Sequence, residues 1–208
     1  DNNSTTMVDP QVFEAMQPYF CDLYGNPSSL HEFGGQVMHA VDKAREQVKD
    51  FLGARDAKEI IFTASGSEGD NMAIRGVLEA NKNKKHIITT KIEHPAVLNV
   101  YKYLEKQGYD VTYLDVDSKG NLDLNQLAES ITDETALVSI MYANNETGVI
   151  LPVEKAAKIV KAKNPKIKFH SDAVQAAGKI PLDVKNTDID LLTIAGHKIH
   201  APKGIGAL

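Results

Sequence analysis

The sequence predicts an α/β fold: a mostly parallel sheet with helices packed on its faces. Three observations predict it. Short β-rich runs alternate with segments of helical periodicity. Neither a Ser/Gly/Pro-rich linker nor a repeat with a period of roughly 20–50 residues interrupts the alternation. The length of 208 residues suits one domain with a substantial core. Strands separated by helices need crossover connections, which run the strands parallel and lay the helices over the sheet.

The first helical stripe is Val37, Val41, Ala44, Val48 and Phe51, recurring at intervals of three and four. Glu59–Thr63 (EIIFT) follows as a strand, and SGSEGDN leads from it into a helix, MAIRGVLEA. The next strand is His86–Thr90 (HIITT). After it, Val97, Val100, Tyr101 and Leu104 form one helical face, and Pro95 suits that helix's first turn. Asp110–Leu114 (DVTYL) and Ala136–Tyr142 (ALVSIMY) read as strands. Val153, Ala156, Ala157 and Val160 form a third stripe, with Lys155, Lys158 and Lys161 turned away from it as a solvated face. Ile167–His170 (IKFH) and Ile189–Ile194 (IDLLTI) complete the strands, and Gly204–Leu208 reads as the start of another. The chain opens at Asp1 without an initiator Met and closes within that last run. A piece of a longer protein, with an unpaired edge and an incomplete core, is therefore expected.

Composition excludes several classes. No apolar run approaches the ~18–20 residues of a membrane helix, and no charged-then-apolar leader opens the chain. A formal net charge of −5 argues against non-specific nucleic-acid binding. A single cysteine, Cys21, excludes an internal disulfide framework and a multi-cysteine metal cluster; it reads as a small, half-buried thiol. A cytoplasmic enzyme or binding domain is the expectation.

In parallel sheets ligands bind beyond the carboxyl ends of the strands, so the loops there carry the chemistry. SGSEGDN (Ser65–Asn71) has small residues at a helix N-terminus, where backbone N–H groups and the helix dipole suit a phosphate. Ser67 adds a hydroxyl. The same residues also serve as a plain N-cap, and they match neither a Walker loop nor GxGxxG. Asp172, at the end of IKFH, can meet a protonated ring nitrogen, a metal or a ribose, or simply form an Asx turn. Lys198, in AGHK, can form a Schiff base if burial lowers its proton affinity, or stand as a surface charge. His94 can stack on a flat ring or shuttle protons. Asn145 and Gln175 add neutral amides at two further strand ends. A phosphate cradle, a carboxylate and an aldehyde-capturing lysine at one sheet edge are what pyridoxal 5′-phosphate (PLP) requires.

Seven motifs then stand in order along nearly the whole chain. They are DNNSTT (Asp1–Thr6), YGNPSSLHEFG (Tyr24–Gly34), FTASGSEGDN (Phe62–Asn71), EHPAVL (Glu93–Leu98), ANNETG (Ala143–Gly148), HSDAVQAAGKIP (His170–Pro181) and GHKIHAPKGIGAL (Gly196–Leu208). On these the chain resembles the NifS/IscS-like cysteine desulfurases, within the class V, fold type I PLP enzymes. The resemblance implies a three-layer large domain spanning 1–208, with a smaller C-terminal domain absent from this chain. It makes Lys198 the Schiff-base lysine and His94 the residue stacked on the ring and aiding proton transfer. Asp172 pairs with the pyridine nitrogen. Asn145 and Gln175 bond the phenolate oxygen or its neighbours, and Gly66 and Ser67 hold the phosphate with His197 nearby. Asn2, Asn3 and Asn26 border the substrate pocket.

Three departures stand out. Ala195 replaces a phosphate-binding serine common in the family. Ser65-Gly66-Ser67-Glu68 replaces the usual Gly-Ala-Thr-Glu, keeping the hydroxyl. The persulfide-forming cysteine, the arginine for the substrate carboxylate and a phosphate contact from a partner subunit have no counterpart here, and Cys21 matches no catalytic motif. The implied whole is a cytoplasmic homodimer. It takes L-cysteine to L-alanine and hands sulfur to an acceptor such as an iron–sulfur scaffold, while this chain alone is inactive. A selenocysteine lyase, another class V enzyme or a non-catalytic scaffold are the alternatives.

Overall fold

The computed structural model describes residues 1–208. Two short helices, α1 (Pro10–Met16) and α2 (Pro18–Cys21), precede the long α3 (Glu32–Leu52). Then β1 (Phe62–Thr63), α4 (Gly66–Ala80), β2 (His86–Thr90), α5 (Pro95–Lys106) and β3 (Asp110–Leu114) alternate. They are followed by α6 (Leu124–Ser130), β4 (Thr135–Ser139), α7 (Val153–Lys163), β5 (Lys168–Asp172), β6 (Leu191–Ala195) and β7 (Gly206–Ala207).

The seven strands form one sheet in the order β1-β7-β6-β5-β4-β2-β3. The run from β6 to β3 is parallel, and β7 is antiparallel to both of its neighbours. β1 therefore points the same way as the parallel strands. The carboxyl ends of β1, β2, β4, β5 and β6 all reach one edge, which is where the site lies. Helices α4 and α5 cover one face, over a core that includes Ile74, Ile87, Val97, Tyr101 and Leu137. The larger core on the other face joins Ile88, Val138, Phe169 and the α7 stripe. Strands buried on both faces read as continuous apolar runs, which is why HIITT and ALVSIMY were legible as strands.

The expected α/β architecture is the observed one, and β2 and β3 have the expected bounds. Other elements differ. The strand expected over Glu59–Thr63 is only Phe62–Thr63, because Asp56 caps a 3₁₀ turn at Ala57–Glu59 by accepting the Lys58 N–H at 2.9 Å. The strand expected over Ile167–His170 runs on to Asp172, which makes Asp172 part of the ladder with Thr193 opposite it. The α3 stripe is only half-buried, and Phe51 is exposed. The α5 and α7 stripes are buried as expected.

Three expectations are corrected. Gly206–Ala207 does not leave an unpaired edge: β7 lies inside the sheet, between β1 and β6. Lys161 is not solvated with Lys155 and Lys158. It donates to the Ile167 carbonyl at 2.6 Å and pairs with Asp190 at 2.5 Å, tying α7 to the start of β6. Cys21 is exposed and not half-buried, because α2 buries no residue at all.

Candidate active site

The strand ends enclose a cavity of about 260 Å³. Its walls are built from consecutive loops. After β1, Ser65 caps α4 by accepting the Glu68 N–H at 3.1 Å, and the Glu68 carboxylate reaches back to the Ala64 N–H. This reciprocal cap satisfies outlying donors and leaves Gly66 and Ser67, at the positive end of the helix, lining the cavity. A Cβ on Gly66 would meet Val174 Cγ2 at 2.8 Å, so a larger residue here needs Val174 to shift.

After β2, His94 is the N-cap of α5 and Pro95 its first residue. His94 Nδ1 accepts the Ala96 N–H at 3.1 Å, which fixes the ring at the cavity and leaves Nε2 as its free nitrogen. Beyond β4, Asn144 organises the turn. Its Oδ1 accepts from the Glu146 and Thr147 N–H groups at 3.0 and 2.9 Å, and its Nδ2 donates to the Ile92 carbonyl at 3.0 Å. Asn145 is thereby presented to the cavity. At the end of β5, Asp172 Oδ1 accepts the Val174 N–H at 2.9 Å, an Asx turn that sets its rotamer.

The N-terminal segment closes one side. Lys198 Nζ and Gln175 Nε2 both donate to the Asn3 carbonyl, the latter at 2.8 Å. The Thr6 N–H and hydroxyl both donate to the His197 carbonyl, at 2.8 and 3.0 Å. Thr6 Oγ1 in turn accepts the N–H of His200, which holds a left-handed φ of 64°. A segment nearly two hundred residues away in sequence thus clamps the Lys198 turn.

Charge is unevenly placed. Burial raises the Asp172 carboxyl above its ordinary range, while the Val174 N–H, His94 and Lys198 pull it back. Burial, and then the charge of Lys179, lower the proton affinity of Lys198. Burial pushes Glu93 up to about 8, against the Met141 N–H and Thr90 hydroxyl that it accepts, both at 2.8 Å. A lysine inclined to lose its proton, a buried carboxylate and an anion cradle can together hold an anionic ring compound that carries a carbonyl.

Gly66, Ser67, His94, Asn145, Asp172, Gln175, Ala195, His197 and Lys198 all line this cavity. Asn3 lines an adjoining polar cavity with Lys198 and His94. Asn2 and Asn26 line neither; Asn26 instead shapes its own turn by accepting the Ser28 N–H at 2.9 Å. Gln175 is occupied at both ends, since its Oε1 accepts from Lys179 Nζ at 3.0 Å. Sequence reasoning missed Ser4, Asp70 and Met141 on the walls, and Asn144 behind them. Asp70 lies one helical turn beyond Gly66, on the same inward face, and that spacing was its one readable signal.

Known proteins resemble this chain over its whole length. The chain is 64% identical over 208 residues to a cysteine desulfurase of Nostoc sp. (strain PCC 7120), covering 100% of the chain and 51% of that relative. It is 51% identical to the cysteine desulfurase NifS of Azotobacter vinelandii, again covering 100% of the chain and 51% of the relative. The chain thus spans about half the length of the curated relatives it matches. Among solved structures, a NifS-like protein superposes with a TM-score of 0.96 at 45% identity, over 100% of this chain and 57% of the other. A second, described as SspA in complex with cysteine, gives 0.94 at 40% identity, over 100% and 59%. A sequence model of the aminotransferase class-V family matches residues 1–208, the whole of the chain, and the chain belongs to that family.

Proposed function

We propose that residues 1–208 form the large, cofactor-binding domain of a PLP-dependent cysteine desulfurase. The complete protein converts L-cysteine to L-alanine and passes the sulfur on as a persulfide. One observation carries this reading: a helix N-terminus, a buried carboxylate and a lysine of lowered proton affinity open into the same cavity. The relatives' names and the cysteine-bound neighbour support the substrate.

The residues present fit the cofactor. Gly66 and Ser67 offer N–H donors and a hydroxyl to a phosphate, at the N-terminus of α4 where it opens into the cavity. Asp172 offers negative charge to a protonated ring nitrogen, and Lys198 an amine to an aldehyde. His94 offers a flat ring at the wall. Ala195 has no hydroxyl, so the anion contacts fall on the α4 N-terminus and His197. When bound, the cofactor supplies an electron sink for the substrate's α-carbon.

The chain's own groups hold and move protons. Lys198 Nζ is the cavity's base, and its lowered affinity makes it readier to give up and retake a proton than an ordinary lysine. His94 Nε2 is a second proton-carrying atom, because Nδ1 is committed to the Ala96 N–H. In the overall reaction the substrate's C–S bond breaks, an S–S bond forms to a protein thiolate, and the substrate's β-carbon takes a proton. Cys21 is not that thiolate: it is exposed on α2 and lines no part of the cavity. We assign the thiolate to the half of the protein beyond this chain. A homodimer, a cytoplasmic setting and an iron–sulfur scaffold as acceptor follow from the resemblance; no helix is long and apolar enough to cross a membrane.

The test is borohydride reduction of the full-length protein loaded with PLP, then peptide mapping, with alanine and sulfide measured from cysteine. Label on Lys198 with alanine formed supports the reading. Label on Lys179 or Lys203 overturns the site. Selenide released from selenocysteine with no alanine formed from cysteine makes the protein a selenocysteine lyase.

A further inference from the structure

One buried acid has no part in the chemistry above. Asp70 is 1% exposed and forms part of the cavity wall, yet its Oδ1 has no hydrogen-bond partner. The packing of α4 puts it there. At Gly69 the helix lies so close to β6 that a Cβ would meet Thr193 Cγ2 at 2.7 Å. The next residue, Asp70, is therefore pressed against β5 and β6, with His170 Nε2 at 3.6 Å. His170 and Asp172 stand two apart on β5, so both point to the face that α4 covers.

We infer that Asp70 is a positioning residue, a neutral carboxylic acid wedged behind Asp172, whose proton leaves Asp172 as the one negative charge at the cavity floor. The groups around Asp70 favour this. Asp172 on β5 and Glu93 after β2 are acids. Thr193 on β6 is a hydroxyl. His170 is neutral, since burial lowers its pKa to about 3, and its nitrogens lie 2.7 Å from Ser139 Oγ and 3.0 Å from Thr193 Oγ1. No cation offsets a charge on Asp70. Asp172 has the Val174 N–H, His94 and Lys198 on its side. A buried carboxyl with one unpartnered oxygen, no cation and only the Thr193 hydroxyl to favour its charge keeps its proton. Burial first, then the charge on Asp172, raise the Asp70 pKa against a hydrogen bond from Thr193. His170 Nε2, 3.6 Å from Asp70 Oδ1, is already taken by Thr193 Oγ1, so it brings Asp70 no charge. The purpose of the device rests on the cofactor reading, because a single fixed charge is what a ring nitrogen needs. The proton itself does not.

The experiment therefore begins without cofactor. Full-length protein carrying Glu93→Gln, which silences the other neutral acid, is melted at about pH 6 and about pH 9, with and without Asp70→Asn. The protein that keeps Asp70 should lose at least about 3 °C more over that span than the one carrying Asp70→Asn, and Asp70→Asn should not lower the Tm near neutrality. Equal slopes, or a large loss of stability in Asp70→Asn near neutrality, overturn the inference. If Asp70→Asn does not fold, infrared spectra of the Glu93→Gln protein decide: a protonated-carboxyl carbonyl band present near neutrality and lost in alkali supports it, and no such band overturns it. PLP titration separates the two readings. Matched slopes with PLP fixed at Lys198 refute the neutral acid alone. The expected slopes with no PLP bound refute the cofactor reading alone.

Discussion

Replacing Asp172 by Asn separates a turn residue from a charge-bearing one. The substitution keeps the shape, and an amide oxygen can still accept the Val174 N–H that Oδ1 now holds at 2.9 Å. If Asp172 only ends a strand, nothing should change. If its charge is the point, two effects of opposite sign appear. Asp172 is 5% exposed and burial raises its pKa, so its charge costs the cofactor-free fold stability at neutral pH. Asp172→Asn without cofactor should thus melt at or above the wild-type temperature. With cofactor, the variant lacks a charge-assisted hydrogen bond worth about 1.5–3 kcal/mol, which is roughly a 10- to 150-fold loss of affinity. Turnover should fall at least as far, because the electron sink loses the counter-charge that holds its proton. The assays are thermal melting, PLP titration by absorbance, and alanine formation from cysteine, all on the full-length protein. Wild-type affinity together with wild-type turnover would refute the reasoning.

Lys198→Ala should abolish the borohydride-reducible PLP adduct while leaving the fold intact, as peptide mapping and circular dichroism will show. Glu93 holds its proton in the folded state up to about 8, far above its ordinary 4.5. Its contribution to stability is therefore fully present below about pH 4.5 and lost as pH rises towards 8. Glu93→Gln should flatten the Tm-against-pH curve across that window, by at most about 3 kcal/mol near neutrality; an unchanged slope would mean that Glu93 is charged. Lys161→Met removes the link from α7 to Asp190 and to the Ile167 carbonyl. Asp190 keeps Lys168 at 3.1 Å, so a loss of about 1–3 kcal/mol in chemical denaturation is expected. The 208-residue chain incubated with PLP, cysteine and a reductant should form no alanine above a PLP-only control, and Cys21→Ser should not alter turnover of the full-length protein.

Much of the fold was legible because it rests on patterns that a sequence states directly. HIITT and DVTYL are short, β-rich and bounded by polar residues, and both became strands at the expected residues. The α5 face was equally plain, with proline at its first turn. What failed depended on partners far away in the chain. EIIFT has strand composition throughout, but Asp56 draws its first residue, Glu59, into a 3₁₀ turn. Lys161 looked like one more exposed lysine until the fold brought Asp190 beside it. The site divides in the same way. Lys198, Asp172 and His94 follow strand ends and could be found from position. Asp70 lies inside a helix, where an acid reads as a polar turn of the surface, and only the approach of α4 to β6 at Gly69 shows that it is buried. The clamp of Thr6 on His197 joins the two ends of the chain and has no local signature.

The three buried acids at this sheet edge have different tasks, and their surroundings decide which is which. Asp172 is the one with an N–H donor and with His94 and Lys198 beside it, so the charge is proposed to settle there, at a rotamer fixed by the Val174 N–H. Glu93 keeps its proton and acts as a bolt. One of its oxygens accepts both the Thr90 hydroxyl and the Met141 N–H, which joins the exit of β2 to the exit of β4. His94, the next residue, is thereby held at the cavity as the cap of α5. Three charged carboxylates in this space would repel one another, and the fold would lose stability with each ionisation. Three apolar residues would remove that cost along with the counter-charge and the bolt. Protonating the other two acids would deliver a single negative charge, rigidly held, across the cavity from Lys198, the lysine we propose as its nucleophile.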